Sequence, residues 1–298
     1  MDYLLESCTL CPRHCGVNRL SGELGVCRAP ASLLLARAAL HHWEEPCLSG
    51  SRGSGTIFFS GCPMHCSYCQ NHAISDAQYG KEVSLSRLCE IFYELYKQGA
   101  HNINLVTPTH YVPQIKTAIE TVKKEGFPLP FVYNTSGYER LETLQMLDGL
   151  IDIYLPDFKY DKPETACRCS ACPDYPEVAR TAFAEMFRQV GPLQFDGELL
   201  TKGLVARHLV LPGHENEAKS IISYLYHTYG DDIIISIMNQ YTPIPPLSND
   251  PLLGRRLSDE EYGCVVRYAE SLGIENAYIQ EGETAKESFI PDFNTEGV

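Results

Sequence analysis

The sequence predicts an α/β fold in which a parallel β-sheet is covered by helices. Short β-rich runs alternate along the chain with segments that carry apolar residues at helical spacing, an alternation typical of β/α repeats. The β-rich runs are continuously apolar, which indicates strands that are buried on both faces. A chain of 298 residues with 44% hydrophobic content is long enough to form such a core.

Seven candidate strands alternate with six candidate helices. The strands are predicted at residues 56–60 (TIFFS), 102–107 (NINLVT), 130–135 (PFVYNT), 151–155 (IDIYL), 206–211 (ARHLVL), 232–238 (DIIISIM) and 276–280 (NAYIQ). The helices are predicted at residues 84–98, 111–125, 138–147, 176–190, 215–229 and 258–271. Ser84 and Ser258 can cap two of these helices. In such folds the functional residues lie at the C-terminal ends of the strands.

The net charge of −14 has the wrong sign for general attraction to nucleic acid or to an anionic membrane. The first residues lack a basic segment followed by an apolar core, and no run approaches the ~20 apolar residues of a membrane span. We therefore expect a cytoplasmic protein that binds neither nucleic acid nor membrane.

Thirteen cysteines are the main chemical feature of the sequence. In a reducing compartment, clustered cysteines indicate metal binding or catalysis more than disulfides. Three isolated cysteines are expected to be small buried hydrophobic residues: Cys47, Cys89 and Cys264. The others form three groups: Cys8, Cys11, Cys15 and Cys27; Cys62, Cys66 and Cys69; and Cys167, Cys169 and Cys172.

The second group directly follows the first candidate strand. Its three thiolates can bind three irons of a [4Fe–4S] cluster and leave the fourth iron open, whereas closed ferredoxin-type sites use four cysteines. Zinc bound by the three cysteines and either His65 or His72 is the alternative. Structural zinc sites, however, usually take two ligand pairs that are far apart in sequence.

The spacing of Cys62, Cys66 and Cys69, with Tyr68 before the last cysteine, resembles the signature of the radical S-adenosylmethionine (SAM) enzymes. The resemblance covers nearly the whole chain. The chain resembles the branch of this family that is homologous to pyruvate formate-lyase-activating enzymes. The similar segments are 8–27 (CTLCPRHCGVNRLSGELGVC), 52–62 (RGSGTIFFSGC), 69–75 (CQNHAIS), 102–115 (NINLVTPTHYVPQI), 132–139 (VYNTSGYE), 151–160 (IDIYLPDFKY), 207–213 (RHLVLPG) and 236–243 (SIMNQYTP). The resemblance implies a partial (β/α)6 barrel.

The resemblance also implies a function. The open iron of the cluster would be chelated by SAM, and an electron from a flavodoxin- or ferredoxin-type donor would cleave SAM to a 5′-deoxyadenosyl radical that takes a hydrogen atom from a substrate. Three alternatives stay open. The substrate is a protein, such as a glycyl radical enzyme, or it is a small molecule or peptide, or the chain is a non-catalytic iron–sulfur or zinc protein.

Polar residues at the strand ends are the candidate SAM contacts. The Gly-Gly-Glu stretch of many family members is replaced by TPTH at residues 107–110. We expect contacts with SAM from Tyr68, Thr107, His110, Asn134, Thr135 and Ser136; alternatively, the polar residues among them cap strand ends and turns. Further polar contacts with SAM or substrate are expected from Asp157, Lys159, Glu215 and Gln240, although Asp157 and Lys159 could equally form a surface pair.

Cys8, Cys11, Cys15 and Cys27 supply four thiolates, which can close a tetrahedral site without outside ligands. Gly16, Gly22 and Gly25 permit the tight turns of such a site. We expect zinc or a single iron here, with a second iron–sulfur cluster as the rival. Arg13 and Arg19 would offset the thiolate charge or lie in solvent.

The third cysteine group follows the fourth candidate strand and so lies on the catalytic side of the predicted barrel, in a loop. A third metal or redox-active thiols are possible there, but we favour a chance run of exposed or packed cysteines. The predicted organisation is a cysteine-rich metal-binding module at residues 1–50, a barrel at 51–285 and a C-terminal tail at 286–298.

Overall fold

The structure, a computed structural model, describes residues 3–77, 79–280 and 291–298. Ten strands within these residues form one open sheet: β1 (Leu33–His41), β2 (Ser54–Phe59), β3 (Lys81–Val83), β4 (Ile103–Val106), β5 (Phe131–Thr135), β6 (Ile153–Pro156), β7 (Gln194–Asp196), β8 (Leu199–Leu209), β9 (Ile234–Met238) and β10 (Ala277–Ile279). The strand order is β10-β9-β8-β6-β5-β4-β2-β1-β3, and β7 pairs with β8.

Ten α-helices lie in the same described residues: α1 (Tyr3–Glu6), α2 (Pro46–Ser49), α3 (His72–Ser75), α4 (Leu85–Lys97), α5 (Val112–Lys124), α6 (Leu141–Gln145), α7 (Pro163–Ser170), α8 (Tyr175–Val190), α9 (Glu215–Tyr229) and α10 (Asp259–Leu272). The Ser84 hydroxyl accepts a hydrogen bond from the first turn of α4. Ser258 and Glu261 form a capping box at α10. Both predicted caps are therefore confirmed.

The predicted α/β fold is confirmed, because the seven predicted strands correspond to β2, β4, β5, β6, β8, β9 and β10, and these run parallel to one another. The prediction missed the strands that pair antiparallel to this series, of which β1 is the longest. The sequence of β1, LLLARAALH, consists largely of strong helix formers, so local propensity hides it. The described helices also include α7, which the sequence patterns did not predict.

The two faces of the sheet bury different side chains, because successive residues of a strand point to opposite faces. The outer face packs against the long helices in the main core, which includes Leu88 of α4 and Ile115 of α5. The inner face carries a smaller apolar plug, formed by Cys47, Leu48, Val132, Ile153, Leu155, Leu200, Val205 and Ile234. The inner-face positions that follow the plug along β5, β6, β8 and β9 are polar: Asn134, Asp157, Arg207 and Ser236.

Residues 291–298 run along the outer edge of β1. The amide of Thr295 donates to the Ala36 carbonyl, and the amide of Ala38 donates to the Glu296 carbonyl. The predicted boundary between barrel and tail follows residue 285. It falls within residues 281–290, which lie outside the described residues. Among the described residues, no helix has both the length and the hydrophobicity that a membrane crossing requires.

Candidate active site

The second cysteine group forms a loop that leaves the C-terminal end of β2. Cys62, Cys66 and Cys69 are half-buried and together line a cavity of about 140 Å³. Gly61 begins the loop with a φ of +93°, and a Cβ there would lie 2.7 Å from the Cys27 carbonyl oxygen. Only glycine fits both constraints, so the N-terminal cysteine segment packs directly against the start of this loop.

The three thiols of this loop are close enough to perturb one another. Burial, together with the neighbouring Cys66, raises the pKa of Cys62 to about 11 and the pKa of Cys69 to about 12. Several thiolates can be held together here only with a cationic partner, which irons supply.

The histidines beside the loop do not supply a fourth ligand in this arrangement. His65 uses both ring nitrogens, with Nδ1 3.2 Å from Asp76 and Nε2 2.7 Å from the Val26 carbonyl oxygen. His72 Nδ1 lies 3.3 Å from the Cys69 carbonyl oxygen. Among the described residues, no three His, Cys, Asp or Glu side chains are arranged to hold a single metal ion. The donor set of three thiols beside a cavity therefore fits a [4Fe–4S] cluster with one open iron better than it fits zinc.

The wall opposite the thiols is formed by strand ends. It contains four of the predicted SAM contacts, which are Thr107, Asn134, Thr135 and Ser136, and also Asp157, Lys159 and Arg207. Parallel strands bring these residues to one edge of the sheet although they lie up to 100 positions apart in sequence. The polar positions were predictable from the strand ends, whereas Arg207 was missed because it sits within an apolar run.

Asp157 is the centre of a buried ionic network. Lys159 Nζ lies 2.6 Å from Asp157 Oδ2, and Arg207 Nε lies 3.0 Å from Asp157 Oδ1. Arg207 also donates to Asn134 Oδ1 over 2.6 Å. Although burial alone would raise it, these two cations hold the pKa of Asp157 below its usual range. Asp157 and Lys159 are thus an internal pair and not the surface pair that the sequence left open.

Two predicted SAM contacts lie away from this cavity. Tyr68 is buried, donates to the Tyr160 hydroxyl over 2.8 Å and packs against Tyr241. His110 is buried with Nε2 2.8 Å from the Ser60 carbonyl oxygen, and burial lowers its pKa to about 3. A short 3-10 turn at Thr109–Tyr111 carries His110 behind the cysteine loop. Glu215 begins α9 and does not line the cavity either.

A second cavity, of about 320 Å³, adjoins the first. The two share Asn71, Val106, Asn134 and Arg207 in their walls. Gln240, a predicted polar contact, lines this second cavity, and so do Trp43, Glu44 and Glu45 from the segment after β1. These three residues were not predicted, because their position depends on the unpredicted β1. The feature of the sequence that could have indicated them is the dipeptide Glu44-Glu45 between an aromatic residue and a proline.

The N-terminal cysteines come together in one small module. Cys8, Cys11 and Cys27 are buried and Cys15 is half-buried. Burial raises the pKa of Cys27, and the nearby Cys8 and Cys15 raise it further. Gly25 lies so close to Cys15 that a Cβ would be 2.9 Å from its sulfur, and the Val26 amide is 3.3 Å from that same sulfur. The four predicted ligands are therefore neighbours, and their thiol chemistry suits a soft metal ion, although among the described residues these thiols are no more arranged around a single ion than those of the loop after β2.

The two arginines of this module contact the protein and not only solvent. Arg13 donates to three carbonyl oxygens, those of Pro63 at 2.9 Å, Ser170 at 2.7 Å and Ala171 at 2.6 Å. Arg19 is buried and donates to the carbonyl oxygen of His110 over 2.6 Å. Both arginines tie the module to the strand-end side of the sheet.

The third cysteine group lies on a helix and not in the expected loop. Cys167 and Cys169 belong to α7, and Cys172 follows the turn that ends this helix. Cys167 is exposed, whereas Cys169 and Cys172 are buried. Cys172 Sγ lies 3.6 Å from the Met64 sulfur, and the Ser67 amide donates to the Cys169 carbonyl oxygen. The group therefore packs against the cysteine loop after β2.

Comparison with known proteins agrees with this geometry. Residues 49–171 match the family described as a 4Fe-4S single cluster domain, and this range contains Cys62, Cys66 and Cys69. The chain is also 28% identical to an uncharacterised protein of Methanocaldococcus jannaschii. The matched region covers 92% of this chain and 78% of that protein.

Three solved structures are similar in fold. A radical SAM methyltransferase from Sphaerobacter thermophilus has a TM-score of 0.53 at 14% identity, with 79% of this chain and 69% of that chain covered. Methylornithine synthase has a TM-score of 0.51 at 13% identity, and the match covers 79% of this chain and 75% of that chain. SuiB from Streptococcus suis, bound to S-adenosylmethionine, has a TM-score of 0.50 at 11% identity over 74% of this chain. The chain spans 48% of SuiB, about half of it. These likenesses show that the chain has the open α/β fold that these three structures share.

Proposed function

We propose that this chain is a radical SAM enzyme whose cluster is held by Cys62, Cys66 and Cys69. The observation that carries the proposal is the cavity in which these three thiols face the polar ends of four parallel strands. With cluster and SAM bound, the cofactors would supply a 5′-deoxyadenosyl radical, and the protein would hold a substrate C–H bond beside it and exclude water.

The chain's own residues have distinct parts in this proposal. Lys159 and Arg207 place two positive charges at the wall facing the thiols, which suits the carboxylate of SAM. Asp157 holds both cations in position through its two oxygens. Thr107 and Ser136 offer hydroxyl groups to the ribose or to other polar groups of SAM, whereas the hydroxyl of Thr135, in the same wall, donates to Glu139.

Two classes of substrate follow from different observations. The sequence resemblance to activating enzymes favours a glycine residue of a partner protein, as in glycyl radical enzymes. The adjoining cavity of about 320 Å³ is of a size that takes a small molecule or one or two residues of a peptide. A low-potential electron donor of the flavodoxin or ferredoxin type completes the proposal.

The N-terminal module is proposed to hold a second metal. Cys8, Cys11, Cys15 and Cys27 supply four neighbouring thiols, a donor set that closes the coordination of zinc or a single iron. A second iron–sulfur cluster is the rival occupant, and metal analysis of the anaerobically purified protein separates the two.

The proposed activity is tested by anaerobic reconstitution with iron, sulfide, reductant, SAM and deuterated candidate substrates. We expect SAM cleavage and transfer of deuterium into 5′-deoxyadenosine. Cys62→Ala, Cys66→Ala and Cys69→Ala should each abolish cleavage, whereas Cys264→Ala, at a half-buried cysteine of α10, should retain it. Full SAM cleavage by the triple alanine variant, or a protein that takes up only zinc on reconstitution, would refute the proposal.

A further inference from the structure

The floor of the larger cavity is formed by two consecutive carboxylates, Glu44 and Glu45, that follow β1. Because β1 runs antiparallel to β2, the segment after it returns to the end of the sheet where the parallel strands begin. From there Glu44 reaches Asn104 of β4, which donates to its Oε1 over 3.0 Å. The two carboxylates therefore lie beneath the site of the proposed chemistry, beside the apolar plug.

The charges around the two joined cavities do not balance. Three carboxylates, those of Glu44, Glu45 and Asp157, face two cations, Lys159 and Arg207. Asp157 contacts both cations, and Arg207 reaches Glu44 at 3.4 Å. Among the described residues, Glu45 is the carboxyl group of the three that has no cation at ion-pair distance.

Glu45 is the least satisfied of the three carboxyl groups. Its side chain is 8% exposed, and its Oε2 makes no hydrogen bond with any residue that the structure describes. Burial raises the pKa of Glu45, against the opposing effect of Arg207. His41 also lines the cavity but offers no balancing charge, because burial lowers its pKa to about 4. Ser236 bonds to the carboxyl group, but a buried carboxylate with one unbonded oxygen is costly, and a cation delivered into the cavity would reduce that cost.

The rim of the same cavity carries Trp43, which is 63% exposed. The face of an indole ring attracts cations through its quadrupole. Trp43 at the rim and the carboxyl groups at the floor thus both favour a positively charged ligand and disfavour an anionic one.

We propose that the larger cavity binds a substrate group that carries a cationic nitrogen, an ammonium or a guanidinium, with Glu45 as its counter-ion. This inference rests on the proposed function, since the bound group belongs to the molecule whose hydrogen is taken. It narrows the substrate to amines, or to peptides that present a lysine, an arginine or a free amino terminus.

The test is a titration of the full chain, purified anaerobically, with n-pentylamine, 1-pentanol and pentanoate at pH 7. Trp43 is the only tryptophan of the chain, so its fluorescence reports directly on the rim. We expect a saturable change with n-pentylamine alone. Glu45→Gln keeps the shape of the side chain and should weaken n-pentylamine binding at least about tenfold, the effect of losing one charged partner. Glu260→Gln, on the exposed surface of α10, should leave binding unchanged.

Several outcomes would overturn the inference. One is equal binding of n-pentylamine and 1-pentanol by the parent chain, which needs no variant. Another is undiminished amine binding by a folded Glu45→Gln protein. A third is displacement of n-pentylamine by SAM together with weaker SAM binding in Glu45→Gln, because the carboxylate would then serve the amino group of SAM itself.

SAM cleavage measured on the same samples separates the two proposals. Cleavage without amine binding refutes the substrate class alone. Amine binding without cleavage refutes the proposed function and leaves a cation site in the cavity. If Glu45→Gln does not fold, Glu44→Gln tests the same floor, with a smaller expected loss of about threefold because Asn104 and Arg207 already contact Glu44.

Discussion

Glu139 is a buried carboxyl group near the point where the N-terminal module meets the sheet. It accepts hydrogen bonds from the hydroxyls of Thr109, at 2.6 Å, and Thr135. The neighbouring Arg140 donates to the Thr9 carbonyl oxygen of the module. Burial raises the pKa of Glu139 from 4.5 to about 7, because the threonine hydrogen bonds offset only part of the desolvation.

Glu139→Gln should therefore change how stability depends on pH. The carboxyl stays protonated in the folded protein up to about pH 7, whereas it ionises near pH 4.5 in the unfolded chain. The resulting penalty is absent below pH 4.5, grows as the pH rises and is complete above pH 7, where it amounts to roughly 3 kcal/mol. Urea denaturation from pH 5 to 8 should show the variant gaining stability relative to the parent. Glu260→Gln is the control, and a pH-independent difference for Glu139→Gln would contradict the prediction.

The third cysteine group allows a second prediction for single residues. Cys167 is exposed, so Cys167→Ser should leave stability unchanged. Cys169 is buried, and a serine hydroxyl without a partner there should cost about 1–3 kcal/mol. Cys172 is also buried, but its sulfur lies 3.1 Å from the Ser170 carbonyl oxygen, so a serine at this position keeps a partner and should cost less. Metal content should stay the same in all three variants, since packing explains the group. Loss of one iron or zinc per chain in the triple variant, by elemental analysis, would instead make these thiols ligands.

At the scale of elements, the cysteine loop after β2 is held between the N-terminal module and the end of α7. Arg13 of the module donates to Pro63 in the loop and to Ser170 and Ala171 at the C-terminus of α7. The last carbonyl groups of a helix have no partners within the helix, so a guanidinium is well suited to this position. The Ser67 amide adds a direct bond from the loop to α7. The loop geometry thus depends on two other elements.

Arg13→Ala should loosen the loop and accelerate the loss of iron to a chelator under anaerobic conditions, by about fivefold or more, because hydrogen bonds from a charged donor are removed. Arg13→Lys keeps the charge but cannot form the three-way contact, and it should give an intermediate rate. Arg188→Ala, which removes a surface arginine paired with Asp148 and Glu185, provides the comparison. Equal rates of iron loss for Arg13→Ala and Arg188→Ala would show that the Arg13 hydrogen bonds do not support the loop.

At the scale of the whole molecule, the last part of the module shares a hydrophobic core with the sheet, whereas Leu5, Cys8 and Leu10 form a small cluster of their own. Cys27 and Ala29 belong to the same buried cluster as Ile57 and Phe59 of β2, and Arg19 bonds to the His110 carbonyl oxygen beside β4. We therefore expect the chain to unfold in a single transition rather than module first.

Cys8→Ser tests this expectation together with the proposed second metal. A structural metal contributes directly to folding free energy, so its loss should lower the midpoint of the one transition. Calorimetry should show this shift, with the visible spectrum of the cluster bound by the loop after β2 largely kept. A separate transition at low temperature would contradict the prediction. Loss of about four irons per chain with intact folding would contradict it as well.

The limits of sequence-based prediction follow from the same architecture. The apolar strands and the residues directly after them could be predicted, because local pattern and the parallel arrangement place Thr107, Asn134 and Ser136 beside the cysteine loop. Glu45 could not be predicted, since its position depends on β1, whose sequence favours a helix. His110 was expected at the site because it follows a strand. It lies in a short turn beside the start of the cysteine loop, bonded to the Ser60 carbonyl oxygen, and it does not line the cavity.

The contact between β1 and residues 291–298 bears on how the chain reaches its fold. β3 covers only the first part of the outer edge of β1, and the C-terminal residues cover its middle at Ala36 and Ala38, with Arg37 bonded to Asn294 across 257 positions of sequence. Contacts between such distant residues carry a large loop-closure cost and form late in folding. Until then the middle of β1 presents an open strand edge, the feature by which partly folded chains pair with one another. During synthesis, this stretch would be the place where aggregation begins and where a chaperone would act.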